Sequence, residues 1–216
     1  IEITVKGDKN MDREFASRVL AVAKRLDEKN LVNAYEGNIS AKKYGIVYIT
    51  PTGKNKALLT EDMIAVIDAD GKQIGGRCKP TSELPMHLQT YQIREDIGGV
   101  VHCRPTYLTA HAICNKPVES KGYPEMMANF KVFEVAPYGR PGTEEILKGA
   151  VPIFRHSDVV LLGNHGVLAV GATVEDAMNK VEAAEAITKA LYYARALGEP
   201  LDLSEEECRH FYKIYD

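Results

Sequence analysis

The stretch Gly98-Gly-Val-Val-His-Cys-Arg-Pro105 constrains the fold more than any other part of the chain. Gly99–Arg104 is short, mostly apolar and β-branched at its centre, which predicts a strand. Pro105 lacks a backbone N–H and has a φ pre-set for a helix, so it is placed as the first residue of a helix over 105–114. Upstream, residues 83–94 read as a helix with Leu84, Leu88 and Tyr91 on one face and Ser82 at the N-cap.

The other segments follow the same periodicities. Phe15, Val19, Val22 and Leu26 share one face of a helix over 11–29, with Asn10 or Asp12 as its cap. Residues 33–40 form a polar, glycine-containing turn. Residues 46–50, 63–67, 131–136, 159–162 and 167–170 read as strands, and Asp70-Gly71 as a hairpin turn. Residues 143–154 read as a helix that Pro152 ends or bends. Thr173-Val-Glu-Asp176 resembles a capping box opening a helix to about Leu197, stopped by Gly198, and Ser204-Glu-Glu-Glu207 starts a last short helix. Paired strands mixed with helices predict an α/β fold with a mainly antiparallel sheet covered by helices.

The chain has 216 residues, the size of one domain spanning 1–216. A net charge of −3 without a basic run argues against nucleic acid as a partner. No apolar run approaches the ~18–20 residues that span a bilayer, and no signal-peptide pattern opens the chain, so a cytoplasmic protein is expected. Cys78, Cys103, Cys114 and Cys208 lack metal-type spacing and read as reduced thiols.

Two of the histidines occupy positions suited to chemistry. His102 ends an apolar strand, where side chains emerge into a cleft. His165 sits in the tight turn Gly163-Asn164-His165-Gly166 between two strands. With the carboxylate of Glu83 they could form a zinc-type site with an open position. Glu83 could equally be a first-turn acid that suits the helix dipole, a general base, or each in turn. His87, His111, His156 and His210 read as structural or surface residues. Three small turns, Gly37-Asn38, Thr52-Gly53 and Thr81-Ser82, carry hydroxyls and backbone donors suited to an anion, although no Walker-type lysine motif accompanies them.

Six blocks together resemble the class II aldolase/adducin family. They are Glu36-Gly-Asn-Ile-Ser40, Ile49-Thr-Pro-Thr-Gly53, Lys79-Pro-Thr-Ser-Glu83, Val100-Val-His102, Ala136-Pro-Tyr138 with Gly142-Thr143, and Leu161-Leu-Gly-Asn-His-Gly166. The resemblance is greatest to the aldolases of ketose 1-phosphates. It implies a three-layer α/β/α sandwich, a homotetramer with active sites between subunits, and a divalent metal, typically zinc. It also implies a lyase of carbohydrate metabolism that cleaves a small phosphorylated sugar through an enediolate. By position, the resemblance makes Glu83 the catalytic base and His102 and His165 metal ligands. Gly37, Asn38, Thr52, Gly53, Thr81 and Ser82 become the phosphate site, Tyr123 a proton donor to a neighbouring subunit's site, and Tyr215 a mobile terminal tyrosine. Related epimerases carry Asp at the place of Glu83, which favours the aldolase branch. A dehydratase, a decarboxylase and a non-catalytic adducin-like protein are the alternatives.

One position departs from the family. Its metal strand carries His-x-His, and here the motif is His102-Cys103-Arg104. Strand alternation puts residues 102 and 104 on one face, so Arg104 stands in the third ligand's place. A guanidinium has no free lone pair, and at ~4 Å and an effective dielectric of ~20 it repels even a single positive charge by roughly 4 kcal/mol. Three readings stay open: Arg104 swings aside and metal binds through His102, His165 and Glu83; Arg104 replaces the cation in metal-free chemistry; or the chain does not catalyse.

Overall fold

A computed structural model describes residues 12–213. Among the described residues, one eight-stranded sheet runs in the order β4-β3-β2-β1-β5-β8-β7-β6. The strands are β1 (Asn38–Lys43), β2 (Ile46–Ile49), β3 (Ala65–Ile67), β4 (Gln73–Gly75), β5 (Gly99–Cys103), β6 (Val135–Ala136), β7 (Val159–Leu162) and β8 (Gly166–Gly171). Every pairing is antiparallel except β6 with β7 at one edge.

Alternation along the central strands sends side chains into two cores. Val101 and Cys103 of β5, with Val167 and Ala169 of β8, pack under α1 (Arg13–Glu28) and α5 (Val174–Leu197). Val100, Leu168 and Val170 face the opposite core, with Met86 and Tyr91 of α2 (Leu84–Ile93) and the segment 146–154. Helices thus cover both faces, compatible with the expected three-layer α/β/α sandwich. His102 and Arg104 share the α2 side, as the alternation predicts.

Local chemistry explains the ends of the elements. Asp12 caps α1 through Glu14 N–H; Asn10 and Tyr215 lie outside the described residues. Thr173 Oγ1 accepts from Asp176 N–H, and α5 stops at Gly198. Ser82 does not cap α2. Glu83 holds the N-cap position without a side-chain cap bond, and Pro85 occupies the first turn. Pro105 likewise precedes its helix, α3 (Thr106–Cys114), rather than beginning it.

Three segments differ from the periodicity. Residues 143–154 form two short 3-10 turns, Glu144–Leu147 and Ile153–Arg155, instead of one helix. Pro152 disfavours helical backbone in the residue before it, which separates the two turns. Of residues 131–136 only Val135–Ala136 joins the sheet, with Phe133 bridging to Val118. The polar segment 38–43, part of which reads as a turn, is instead strand β1, held between β2 and β5. Helices α4 (Pro124–Asn129) and α6 (Glu205–Lys213) complete the chain.

Candidate active site

Three turns meet at one end of the central strands, and the backbone stitches them together. Thr52 N–H donates to Lys79 C=O at 3.2 Å and Thr81 N–H to Thr50 C=O at 3.1 Å. Ile39 N–H donates to Thr50 Oγ1 at 3.1 Å, which ties in the turn before β1. Gly37 is required here: its φ is +78°, and a Cβ would lie 2.4 Å from Val32 Cγ1 and 3.1 Å from His102 C=O. The turns wall a pocket of about 290 Å3. All six predicted turn residues line it, together with Glu83, Arg104 and His165.

Glu83 sits on the floor of this pocket. Its Oε1 lies 3.2 Å from His165 Nε2, and its Oε2 lies 3.5 Å from His102 Nε2. The two imidazole rings are 4.6 Å apart, and one donor atom from each of the three residues falls within 4.8 Å of the others. The register explains the convergence. Asn38 of β1 is directly opposite His102 of β5, and the turn carrying His165 links β7 to β8 beside it. Burial opposes ionisation of Glu83, but the hydrogen bonds from His165 and Asn38 outweigh it. The carboxyl is held well below the usual carboxylate range.

The protonation pattern leaves a lone pair facing that carboxylate. His102 Nδ1–H donates to Val167 C=O at 2.8 Å, so Nε2 carries no proton. That nitrogen is fully buried and has no hydrogen-bond partner. Burial, with Arg104 and His165 adding to it, lowers the His102 pKa to about 4, so the ring is neutral near pH 7. Two imidazoles and a carboxylate around an orphaned lone pair are a donor set that fits a divalent cation such as zinc.

Arg104 does not enter this cluster. Its Nε donates to His165 C=O at 2.7 Å, and one terminal nitrogen lies 3.8 Å from Glu36 Oε1. The side chain lies across Gly166, where a Cβ would meet Arg104 Cγ at 2.9 Å and Cys103 C=O at 2.7 Å. The guanidinium is therefore held beside the His165 turn while still lining the pocket.

A buried chain of hydrogen bonds reaches Glu83 from behind. Asn38 Nδ2–H donates to Glu83 Oε2 at 2.7 Å, which leaves Asn38 Oδ1 to accept from His87 Nε2–H at 2.6 Å. His87 Nδ1 must then accept from Ser40 Oγ–H at 2.7 Å, and Ser40 in turn accepts from Tyr91 O–H at 2.9 Å. Every bond points the same way. Burial lowers the His87 pKa to about 3, which keeps the ring neutral. His87 reads as an ordinary helix residue in the sequence; in the fold it is fully buried and part of the support of Glu83. Asn38 lines the pocket, but its side chain is committed to Glu83 and His87.

The matching family model, "Class II Aldolase and Adducin N-terminal domain", covers residues 17–192. The chain belongs to the class II aldolase and adducin family. It is 33% identical over 183 residues to an L-fuculose phosphate aldolase of Methanococcus maripaludis, covering 85% of this chain and 98% of that one. It is 30% identical over 200 residues to a 5-deoxy-D-ribulose 1-phosphate aldolase of Bacillus thuringiensis, covering 92% and 93%. Among solved structures, an L-fuculose 1-phosphate aldolase superposes with a TM-score of 0.84 at 31% identity, covering 94% of this chain and 96% of that one.

Tyr123 lies apart from the pocket of its own chain, half-buried against the core at the start of α4. His111 Nδ1–H donates to Lys116 C=O at 3.0 Å, and His156 pairs with Glu134, both outside the site. Lys56 lines the pocket although nothing in its sequence context singles it out. Among the described residues, no helix is long and apolar enough to cross a membrane.

Proposed function

We propose that this chain is a class II aldolase-type lyase cleaving a ketose 1-phosphate. The observation that carries the reading is the Glu83 carboxylate, ionised and held between His102 and His165 on the floor of the pocket walled by the three turns. The two relatives named as aldolases of 1-phosphorylated sugars support the substrate class.

In this reading the substrate phosphate lodges among Gly37, Thr52, Gly53, Thr81 and Ser82. Backbone N–H groups and hydroxyls there suit an anion, with Asn38 contributing at the pocket through its backbone. Glu83, His102 and His165 hold the divalent metal, which when bound polarises the substrate carbonyl and stabilises negative charge beside it. Cleavage breaks the bond between the carbon next to the carbonyl and the adjoining carbinol carbon. The electron pair stays on the ketone fragment as an enediolate; Glu83, a carboxylate at rest, takes up a proton from solvent, replacing the one the carbinol gives up, and passes it to that carbon. The carbinol proton leaves to a second group as the aldehyde forms. Tyr123, reaching a neighbouring subunit's site in a homotetramer, is assigned that role on the family resemblance. Arg104 adds positive charge to the same wall.

A second copy of the chain is consistent with the exposed aromatic face formed by Tyr107, Tyr192 and Tyr193, which lines an apolar hollow of about 650 Å3. The test of function is product analysis. With Zn2+, Mn2+ or Co2+, the protein should convert a ketose 1-phosphate to dihydroxyacetone phosphate and an aldehyde. A single keto product would instead mean dehydration, and no turnover across a broad panel would remove the aldolase reading.

A further inference from the structure

Among the described residues, Lys56 is the one lysine, arginine or carboxylate residue that is buried. Its residue surface is 3% exposed, yet it lines the same pocket as Glu83 and the three turns. Among the described residues its ammonium makes no hydrogen bond and no ion pair. The other cation of the pocket, Arg104, is already engaged: Nε on His165 C=O, and a terminal nitrogen near Glu36.

The stem of Lys56 is buried while its ammonium, without a partner in the fold, opens on the pocket; a positive charge held at a pocket wall in this way is placed to meet an anion there. The backbone fixes the turn that carries it. Asn55 Oδ1 accepts from Ala57 N–H at 2.9 Å, capping a single 3-10 turn over Lys56–Leu58, which packs against α1 directly after the Thr52-Gly53 turn. The charges felt by Lys56 are those of the pocket: Glu36, Arg104 and Glu83, with Asp27 behind.

We propose that Lys56 is the charge partner of the substrate's anionic terminus, making this a pocket for a phosphate dianion rather than for a neutral sugar end. The inference rests on the phosphosugar reading and adds a residue to it. The turns alone offer neutral donors, which position an oxyanion without matching its charge. Lys56 supplies that charge, and a bound phosphate supplies the missing counter-ion. Burial lowers the Lys56 pKa, and an anion beside it opposes that shift. Lys56 is thus a specificity-determining residue, selecting the phosphorylated ketose over its unphosphorylated form.

The experiment is calorimetric titration of inorganic phosphate into the full chain and into Lys56→Met and Lys56→Arg, alongside steady-state cleavage of a ketose 1-phosphate. The expected result is binding to the wild type, weakened about tenfold or more in Lys56→Met. Lys56→Arg should keep most of the affinity. In cleavage the loss should fall on KM more than on kcat, and thermal unfolding of Lys56→Met should not occur at a lower temperature, since no hydrogen bond or ion pair of the fold is lost and the apolar stem is replaced by one of similar length. Phosphate binding by Lys56→Met equal to the wild type would overturn the role of Lys56 while leaving the phosphate pocket standing. No phosphate binding by the wild type would overturn both.

Discussion

Replacing His87 by Leu should slow catalysis although His87 does not face the pocket. The imidazole receives a hydrogen bond from Ser40 at 2.7 Å and donates one to Asn38 Oδ1 at 2.6 Å. The second bond fixes which end of the Asn38 amide faces Glu83. Without it the amide is free to turn, and its oxygen can replace Nδ2 opposite the carboxylate, 2.7 Å away. A charge-assisted bond of this kind contributes about 1.5–3 kcal/mol. At ~1.4 kcal/mol per factor of ten, its loss predicts a fall in kcat of roughly 10–100-fold. Two buried groups, Asn38 Oδ1 and the Ser40 hydroxyl, also lose a partner, so the fold should weaken by about 2–4 kcal/mol. The assay is kcat and KM for ketose 1-phosphate cleavage at saturating metal, below the unfolding temperature of the variant. His87→Gln keeps a donor near the Nε2 position and should recover much of the rate. A folded His87→Leu variant within threefold of the wild type would refute the reasoning, as would a Gln variant as slow as the Leu variant.

Other outcomes follow from neighbouring contacts. Arg104→His removes a cation from the wall and offers a third imidazole on the strand, so zinc affinity in a competition titration should rise by about tenfold or more; no gain would show that residue 104 does not reach the cation. Gly166→Ala forces a Cβ to 2.7 Å from Cys103 C=O at a φ of +151°, and should lower the unfolding temperature by several degrees and weaken metal binding through His165. Thr173→Ala deletes the cap on α5 and should cost about 1 kcal/mol in denaturant unfolding without changing activity. Glu175 is paired with Arg18 at 2.6 Å, which lowers its pKa in the folded state. Its contribution is therefore present above the unfolded-state pKa and lost as pH falls through the folded one. Glu175→Gln should flatten the acid limb of the stability profile below about pH 4.5.

Legibility in the sequence followed the strength of local signals. The long helix α5 was readable at both ends because Thr173 and Gly198 act through their own backbone neighbours. Strands β5, β7 and β8 were readable because they are buried on both faces and hence continuously apolar. Strand β1 was not, because Asn38, Ser40, Lys42 and Lys43 are polar: two of them serve the site, and the lysines lie at the outer end. The gathering of three distant turns was accessible only through the family resemblance, since strand register, not spacing, brings them together. The direction of Arg104 is decided by a carbonyl 61 residues away, which periodicity cannot encode. His87 and Lys56 were missed for the same reason. Each is unremarkable beside its sequence neighbours, and its meaning comes from the groups that fold around it.

The central claim is that Glu83 moves the proton on the carbon next to the substrate carbonyl. The most direct measurement is proton NMR of dihydroxyacetone phosphate incubated with the zinc-loaded protein in D2O, without any aldehyde. The account predicts exchange of a single carbinol hydrogen for deuterium, and loss of that exchange in Glu83→Gln. Absence of exchange in the wild type, or equal exchange in Glu83→Gln, would contradict it.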